Sequence, residues 1–138
     1  MSARYVIDAS VGIAWVRADQ ATPETGKLLE KVESGERAVV PALWFAEVAN
    51  SLLLQQRRHR LSTDELKLAL ETLASLNLVV DEEAAVSAFG QTSELAQEHG
   101  LTVYDATYLE LALRLKLPLA SRDGALRKAA KRCGVEVI

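Results

Sequence analysis

The chain has 138 residues, with 16 Lys plus Arg and 19 Asp plus Glu, for a formal net charge of −3 at pH 7. Hydrophobic residues make up 49% and charged residues 25%, values of an ordinary globular protein long enough to bury a core without disulfides or structural metal. The single Cys, Cys133, excludes an internal disulfide, no apolar run approaches a membrane span, and the mild acidity excludes a polycation that coats nucleic acid. A nuclease is not excluded, because bound cations or a local basic rim reverse the field at one site. The stretch Met1 to Arg4 leads directly into Tyr5-Val6-Ile7 and does not read as a signal peptide; the expectation is a cytoplasmic protein of one domain, residues 1–138, with no repeats or linkers.

In chain order, Arg4 to Asp8 is a short apolar run ending in an acid and reads as a buried strand. A short apolar helix follows from Ser10 to Val16. Thr22-Pro23-Glu24 starts the next helix, with Thr as N-cap and Pro at the first helical position, and Ser34-Gly35 stops it. Arg37 to Pro41 is a second strand. Leu43 to Arg57 carries Trp44, Val48 and Leu52 on a helical stripe. Arg57-Arg58-His59-Arg60 breaks the pattern, and Ser62-Thr63-Asp64-Glu65 is a capping box opening a helix to about Leu76. Leu78 to Val80 is a third strand. Asp81 caps a helix to His99, interrupted near Gly90 and ended by Gly100. Thr102 to Lys116 is helical, Pro118 to Ala120 a fourth strand, Gly124 to Cys133 a last helix and Val135 to Ile138 a terminal strand. Short apolar strands alternating with helices predict an α/β three-layer sandwich around a mainly parallel sheet of about five strands. In such sheets ligands bind outside the carboxyl ends of the strands, where the strand order switches.

Four acids fall at or near such positions: Asp8 after the first strand, Asp123 after the fourth, Asp105 where a helix opens, and Glu47 one turn into a helix among Trp44, Phe45, Ala46 and Val48. Each has a plainer reading. Asp8 and Asp105 serve equally as N-caps and Asp123 as a turn residue. Glu47 is harder to dismiss, because an acid among bulky apolar neighbours is usually paired, liganded or snorkelling. Converging carboxylates repel one another, and a divalent cation removes that repulsion. Oxygen-only ligands suit Mg²⁺ or Mn²⁺.

Four segments together resemble a PIN-domain ribonuclease, and more narrowly a VapC-type toxin of a toxin–antitoxin pair. They are Val6-Ile7-Asp8-Ala9-Ser10-Val11, the run Pro41 to Leu52 around Glu47, the run Tyr104 to Ala112 around Asp105, and Ser121-Arg122-Asp123-Gly124-Ala125-Leu126. Their order spans nearly the whole chain. The resemblance implies that Asp8, Glu47, Asp105 and Asp123 form the acidic cluster of a Mg²⁺- or Mn²⁺-dependent endoribonuclease. It implies that Ser10 stands beside the first acid and that Thr107 and Ser121 support the cluster. Asp8, Asp105 and Asp123 are then the metal ligands, and Glu47 either ligates or orients the attacking water as a base; the sequence does not separate these roles. The resemblance further implies a five-stranded PIN-like sheet, a homodimer, and a small VapB-type antitoxin covering the site.

Arg57, Arg58 and Arg60 form the densest basic patch, suited to RNA phosphates or to a solvated joint between helices. Arg122, adjacent to Asp123, is the best single candidate for a backbone contact; Arg114, Lys116, Arg127, Lys128, Lys131 and Arg132 also lie near the acids in sequence. The apolar helix around Trp44, Phe45, Leu52, Leu53 and Leu54 is either central or lines a dimer or antitoxin groove. His59, His99 and Cys133 show no zinc spacing. Two other classes remain. A haloacid-dehalogenase-like phosphatase would need a second Asp two residues after Asp8, where Ser10 stands. A non-catalytic PIN-like domain binding RNA or a partner would have no use for four acids.

Overall fold

A computed structural model describes residues 2–138. Four strands, β1 (Tyr5–Ile7), β2 (Ala38–Pro41), β3 (Val79–Asp81) and β4 (Leu119–Ala120), form one parallel sheet in the order β3-β2-β1-β4. Every residue of β1, β2 and β4 is buried, as expected of strands covered on both faces. The expected fifth strand is reduced to a bridge between Leu119 and Val137. Among the described residues the Leu119 N–H to the Glu136 carbonyl and the Ile138 N–H to the Leu119 carbonyl hold that segment to β4, which is itself two residues long.

Helices cover the sheet in two groups. α1 (Ala9–Val16), α2 (Pro23–Glu33), α3 (Leu43–Arg57) and α4 (Thr63–Ala74) pack on one another. α5 (Ala84–Ser87), α6 (Ser93–His99) and α8 (Gly124–Arg132) gather around α7 (Val103–Leu115), which lies against β1, β2 and β4. The local signals account for most boundaries. Thr22 caps α2 and Ser62 caps α4, each with a reciprocal capping box to Thr25 and Glu65. Gly90 has φ −114° and ψ −110°, a break across the five-residue π turn Ala88–Thr92 that joins α5 to α6. Gly100 ends α6 with φ 64°, a left-handed conformation that favours glycine. Among the described residues no helix is long and apolar enough to cross a membrane.

One close approach fixes α1 on α3. Gly12 faces Trp44 so tightly that a Cβ there would lie 2.5 Å from Trp44 Cζ2. Trp44 is 1% exposed, and its indole N–H donates to the Asp8 carbonyl at 3.0 Å. Gly12→Ala is therefore expected to destabilise the fold by about 1–3 kcal/mol through overpacking, read as a lowered denaturant midpoint at unchanged m-value.

Two groups of contacts bring together residues distant in the chain. Half-buried Cys133 has its Sγ 3.3 Å from His99 Nε2, at the C-terminal ends of α8 and α6. Arg114 on α7 is ringed by carboxylates: its guanidinium donates to Asp81, Glu83 and Glu110 at 2.8–3.2 Å. Arg114 is thereby fully engaged, although in sequence it lies near the acids.

Candidate active site

β1 has β2 on one side and β4 on the other, so the strand order reverses between β1 and β4. That is the switch point at which an open parallel sheet forms a crevice. The register pairs Ile7 with Ala120, which sets the residue after each strand side by side. Asp8 follows β1, and Ser121 follows β4.

Asp8 is 4% exposed. Its Oδ1 accepts from the Ser10 hydroxyl at 2.6 Å and from the Val11 N–H at 3.2 Å, and its Oδ2 accepts from the Ser121 hydroxyl at 2.5 Å. Asp8 thus caps α1, as the plainer of its two readings expects. Burial pushes its carboxyl above the ordinary range; the three hydrogen bonds oppose that, and the charge of Asp123 adds to it. The two serines also knit the β4 loop: the Asp123 N–H donates to Ser121 Oγ at 3.0 Å, and the Arg122 N–H to Ser10 Oγ at 2.9 Å. Ser10 and Ser121 therefore hold the Asp8 carboxylate from both sides.

Asp123 caps α8, its Oδ1 accepting from the amides of Ala125 and Leu126 at 2.9 and 3.1 Å. Asp105 is not a cap. Thr102 caps α7 and receives the Asp105 N–H, which leaves the Asp105 carboxylate without that local function. Its carboxyl is raised by burial and then by the charges of Asp123 and Asp8, against a hydrogen bond with the Thr102 side chain. Glu47 on α3 is raised by burial as well, against the hydrogen bond from Tyr108 and with Asp105 and Asp8 adding repulsion. These mutual charges bring all four acids into one electrostatic neighbourhood. Among the described residues no ion pair engages any of them.

Tyr108 is the residue the sequence reading missed. Its hydroxyl donates to Glu47 Oε1 at 2.5 Å, joining α7 to α3 across the crevice. The available signal was spacing, since Tyr108 follows Asp105 by three positions and shares its helix face. Thr107 takes a different part from the one expected: its hydroxyl donates to the Val103 carbonyl at 2.7 Å within α7, and among the described residues it makes no hydrogen bond to the four acids. Arg57 lies ten residues beyond Glu47 on α3, about 15 Å further along the helix axis, so Arg57, Arg58 and Arg60 form a patch apart from the crevice. Arg122 is exposed beside Asp123, with its guanidinium unpaired among the described residues.

The donor set consists of carboxylates, Asp8 buried and Glu47, Asp105 and Asp123 half-buried, and among the described residues no cationic side chain pairs with any of them. That composition fits a hard divalent cation rather than zinc or copper. The oxygens are not gathered on one point. Asp8 is turned to its serines, Glu47 to Tyr108 and Asp123 to the α8 amides. Among the described residues no group of three or more His, Cys, Asp and Glu forms a ready cage. Seating an ion with retained waters, as Mg²⁺ prefers, would involve small side-chain rotations.

Comparison with known proteins gives a consistent result. The model of the PIN domain matches residues 5–132. Ribonuclease VapC3 of Pyrobaculum aerophilum is 35% identical over 104 residues, 70% of this chain and 79% of that protein. Among solved structures, PAE2754 from Pyrobaculum aerophilum superposes with a TM-score of 0.72 at 23% identity, covering 98% of this chain and 83% of that one. VapBC2 from Rickettsia felis, solved bound to a DNA fragment from their promoter, superposes with a TM-score of 0.67 at 10% identity, covering 97% and 96%. At these identities the superpositions show the fold.

Proposed function

The chain belongs to the PIN-domain family, and from that premise we propose that it is a divalent-metal-dependent endoribonuclease, the toxin of a toxin–antitoxin pair. What most supports the reading is that Asp8, Glu47, Asp105 and Asp123 stand close enough beside the β1/β4 switch point for their charges to act on one another, with no ion pair to any of them among the described residues. The ribonuclease activity named for VapC3 supports the substrate class.

Asp8, Asp105 and Asp123 would hold the ion. A bound Mg²⁺ or Mn²⁺ supplies Lewis-acid polarisation of the phosphoryl group and eases deprotonation of water. The chain's own residues do the rest. Ser10 and Ser121 fix both oxygens of Asp8. Tyr108 occupies Glu47 Oε1 and leaves Oε2 to accept a proton from the attacking water. Burial raises the Glu47 carboxyl, which makes it a better base than an exposed glutamate. The water oxygen bonds to phosphorus as the bond to the leaving ribose oxygen breaks.

Cleavage of RNA should require Mg²⁺ or Mn²⁺, stop with chelator and resume when the ion is restored. The same ion at about a hundredfold excess over its Kd should raise the melting temperature by roughly 5–10 °C. Cleavage that persists in chelator would overturn the reading. A phosphatase of the haloacid-dehalogenase kind is disfavoured by Ser10, whose hydroxyl is committed to Asp8 and to the Arg122 amide.

We also propose that an antitoxin covers the crevice side and that two copies associate. Trp44, Val48 and Leu52 face the core, while Phe45 and Leu54 on α3 are exposed. Phe45 borders a groove of about 200 Å³ between α3 and α4, closed by Leu70 and Leu73, a shape that takes an apolar helix or strand. Val86 and Phe89 stand fully out from the α5 region and suit a second copy.

A further inference from the structure

A second cleft opens beside the acidic crevice and shares a wall with it. It has a volume of about 280 Å³, and Ser121, which holds Asp8, lies on its rim. That volume is near the lower end of small-molecule sites, ~300 Å³, and suits one nucleotide rather than several. Its floor is apolar, made by Val11, Leu28 and Ala120. Its polar groups are of opposite sign. Arg122 and Arg127 supply cations, and Glu24, in the first turn of α2, supplies an anion.

The three charged groups differ in how they are held. Arg127 is fixed in place: its Nη1 donates to the carbonyls of Ser121 and Ile138 at 2.8 and 2.7 Å. Nothing among the described residues engages the guanidinium of Arg122 or the carboxylate of Glu24, although Glu24 sits in a helix turn already closed by the Thr22–Thr25 capping box. Neither charge is needed to hold the fold, and both border the same cleft. A cationic end, an apolar floor and an acceptor-only carboxylate match the parts of a nucleotide: phosphate, base face and base edge.

Resting on the ribonuclease reading above, we propose that this cleft seats the nucleotide flanking the scissile phosphate, and that Glu24 reads its base as guanine. A carboxylate is acceptor-only. Guanine alone among the four bases offers two adjacent donors, N1–H and the N2 amino group, on its Watson–Crick edge. Adenine and cytosine place a ring acceptor beside their single amino donor, and uracil places its one N–H between two carbonyls. Single-stranded RNA exposes that edge. Arg122 would hold the phosphate by charge, without regard to sequence. Glu24 is thus a specificity-determining residue, and the acids next door remain the site of the chemistry.

The test has two arms on the full chain. In the first, the metal-free protein in chelator is titrated with guanosine 5′-monophosphate and with uridine 5′-monophosphate while the amide resonances of Thr25, Ala120 and Ser121 are followed. The guanine nucleotide should bind about tenfold more tightly than the uracil nucleotide, and Glu24→Gln should erase that difference. In the second, a pool of randomised RNA is cut with Mg²⁺ present and the ends are sequenced. The wild type should enrich guanine at one fixed position beside the cut, and Glu24→Gln should lower that enrichment roughly tenfold. Arg122→Ala should weaken cutting of all sequences alike and flatten the salt dependence. Equal binding of the two nucleotides by the wild type, or an unchanged base profile in Glu24→Gln, overturns the inference. Selective binding of the guanine nucleotide by a protein that cuts no RNA would leave the cleft as assigned and sink the ribonuclease reading instead.

Discussion

Asp8→Asn is expected to abolish RNA cleavage, by roughly 10³-fold or more, as removal of a central catalytic group does, while leaving the fold intact. The geometry explains why both halves hold. Asparagine keeps the shape of the side chain, and its Oδ1 still accepts from the Ser10 hydroxyl and the Val11 N–H. Its amide nitrogen faces Ser121 Oγ, which has a second lone pair beside the one taken by the Asp123 N–H. What disappears is the negative charge. With it go an anionic oxygen ligand and most of the reason for a cation to enter, so the ion-induced rise in melting temperature should vanish along with the activity.

The stability of the metal-free proteins supplies an independent reading. Burial raises the folded-state pKa of Asp8 above the ordinary carboxylate value. The stability tied to its proton is fully present below the unfolded pKa and is lost as the pH rises through the raised one. At neutral pH the metal-free wild type therefore bears a charge penalty that Asp8→Asn does not. The variant should melt no lower than the wild type at pH 7, and the comparison should shift in favour of the wild type on acidification. Melting curves in chelator at several pH values check this. Normal cleavage by the variant would remove the nuclease assignment.

Much of the fold was legible because its signals are local. The capping boxes at Thr22 and Ser62, the glycine that ends α6 and the stripe of Trp44, Val48 and Leu52 each depend on a few adjacent residues. Asp8 and Asp123 were legible for the same reason, since strand ends are read from short apolar runs. What the sequence left open depends on distant contacts. Whether Asp105 caps α7 turned on Thr102 taking that position, three residues earlier. The bond from Tyr108 to Glu47 crosses 61 positions. The His99–Cys133 approach crosses 34, which no spacing rule for metal ligands would find. The missing fifth strand has a physical cause too: a two-residue β4 presents too little backbone to template a full neighbour.

Arg114 shows most clearly how a residue's role is set by tertiary partners. Its sequence context suggests a basic side chain near the acids; in the fold it neutralises a buried cluster. Glu110 is 2% exposed and accepts from both Arg114 Nε and Nη2, at 2.8 and 3.2 Å, with Ser87 donating to it at 3.3 Å. Asp81, at the end of β3, accepts from Nη1 and Nη2 at 3.0 and 2.9 Å while also receiving the Ala84 N–H. The cluster pins β3 and α5 to α7. Replacing Arg114 with Met keeps the aliphatic packing but leaves two carboxylates without a counter-charge, and Glu110 has little access to water. Loss of one partner from a buried pair costs about 3–5 kcal/mol. Because the Arg114 side chain is 24% exposed and Glu83 lies in solvent, the lower part of that range, about 3 kcal/mol, is the expected loss at pH 7. Burial raises the Asp81 carboxyl, but the hydrogen bonds from Arg114 and the backbone outweigh it and hold the carboxyl below its usual value. Its stabilising contribution is therefore present above the unfolded carboxylate pKa and is lost as the pH falls through the depressed one. The gap between wild type and Arg114→Met should accordingly be widest at neutral pH and narrow on acidification, as protonation of Asp81 removes the contribution that Arg114 makes to it. Adding Glu110→Gln to Arg114→Met should recover part of the loss. A denaturant series at pH 7 and at acid pH measures both effects, and a variant as stable as wild type at pH 7 would show that the cluster does not hold β3 to α7.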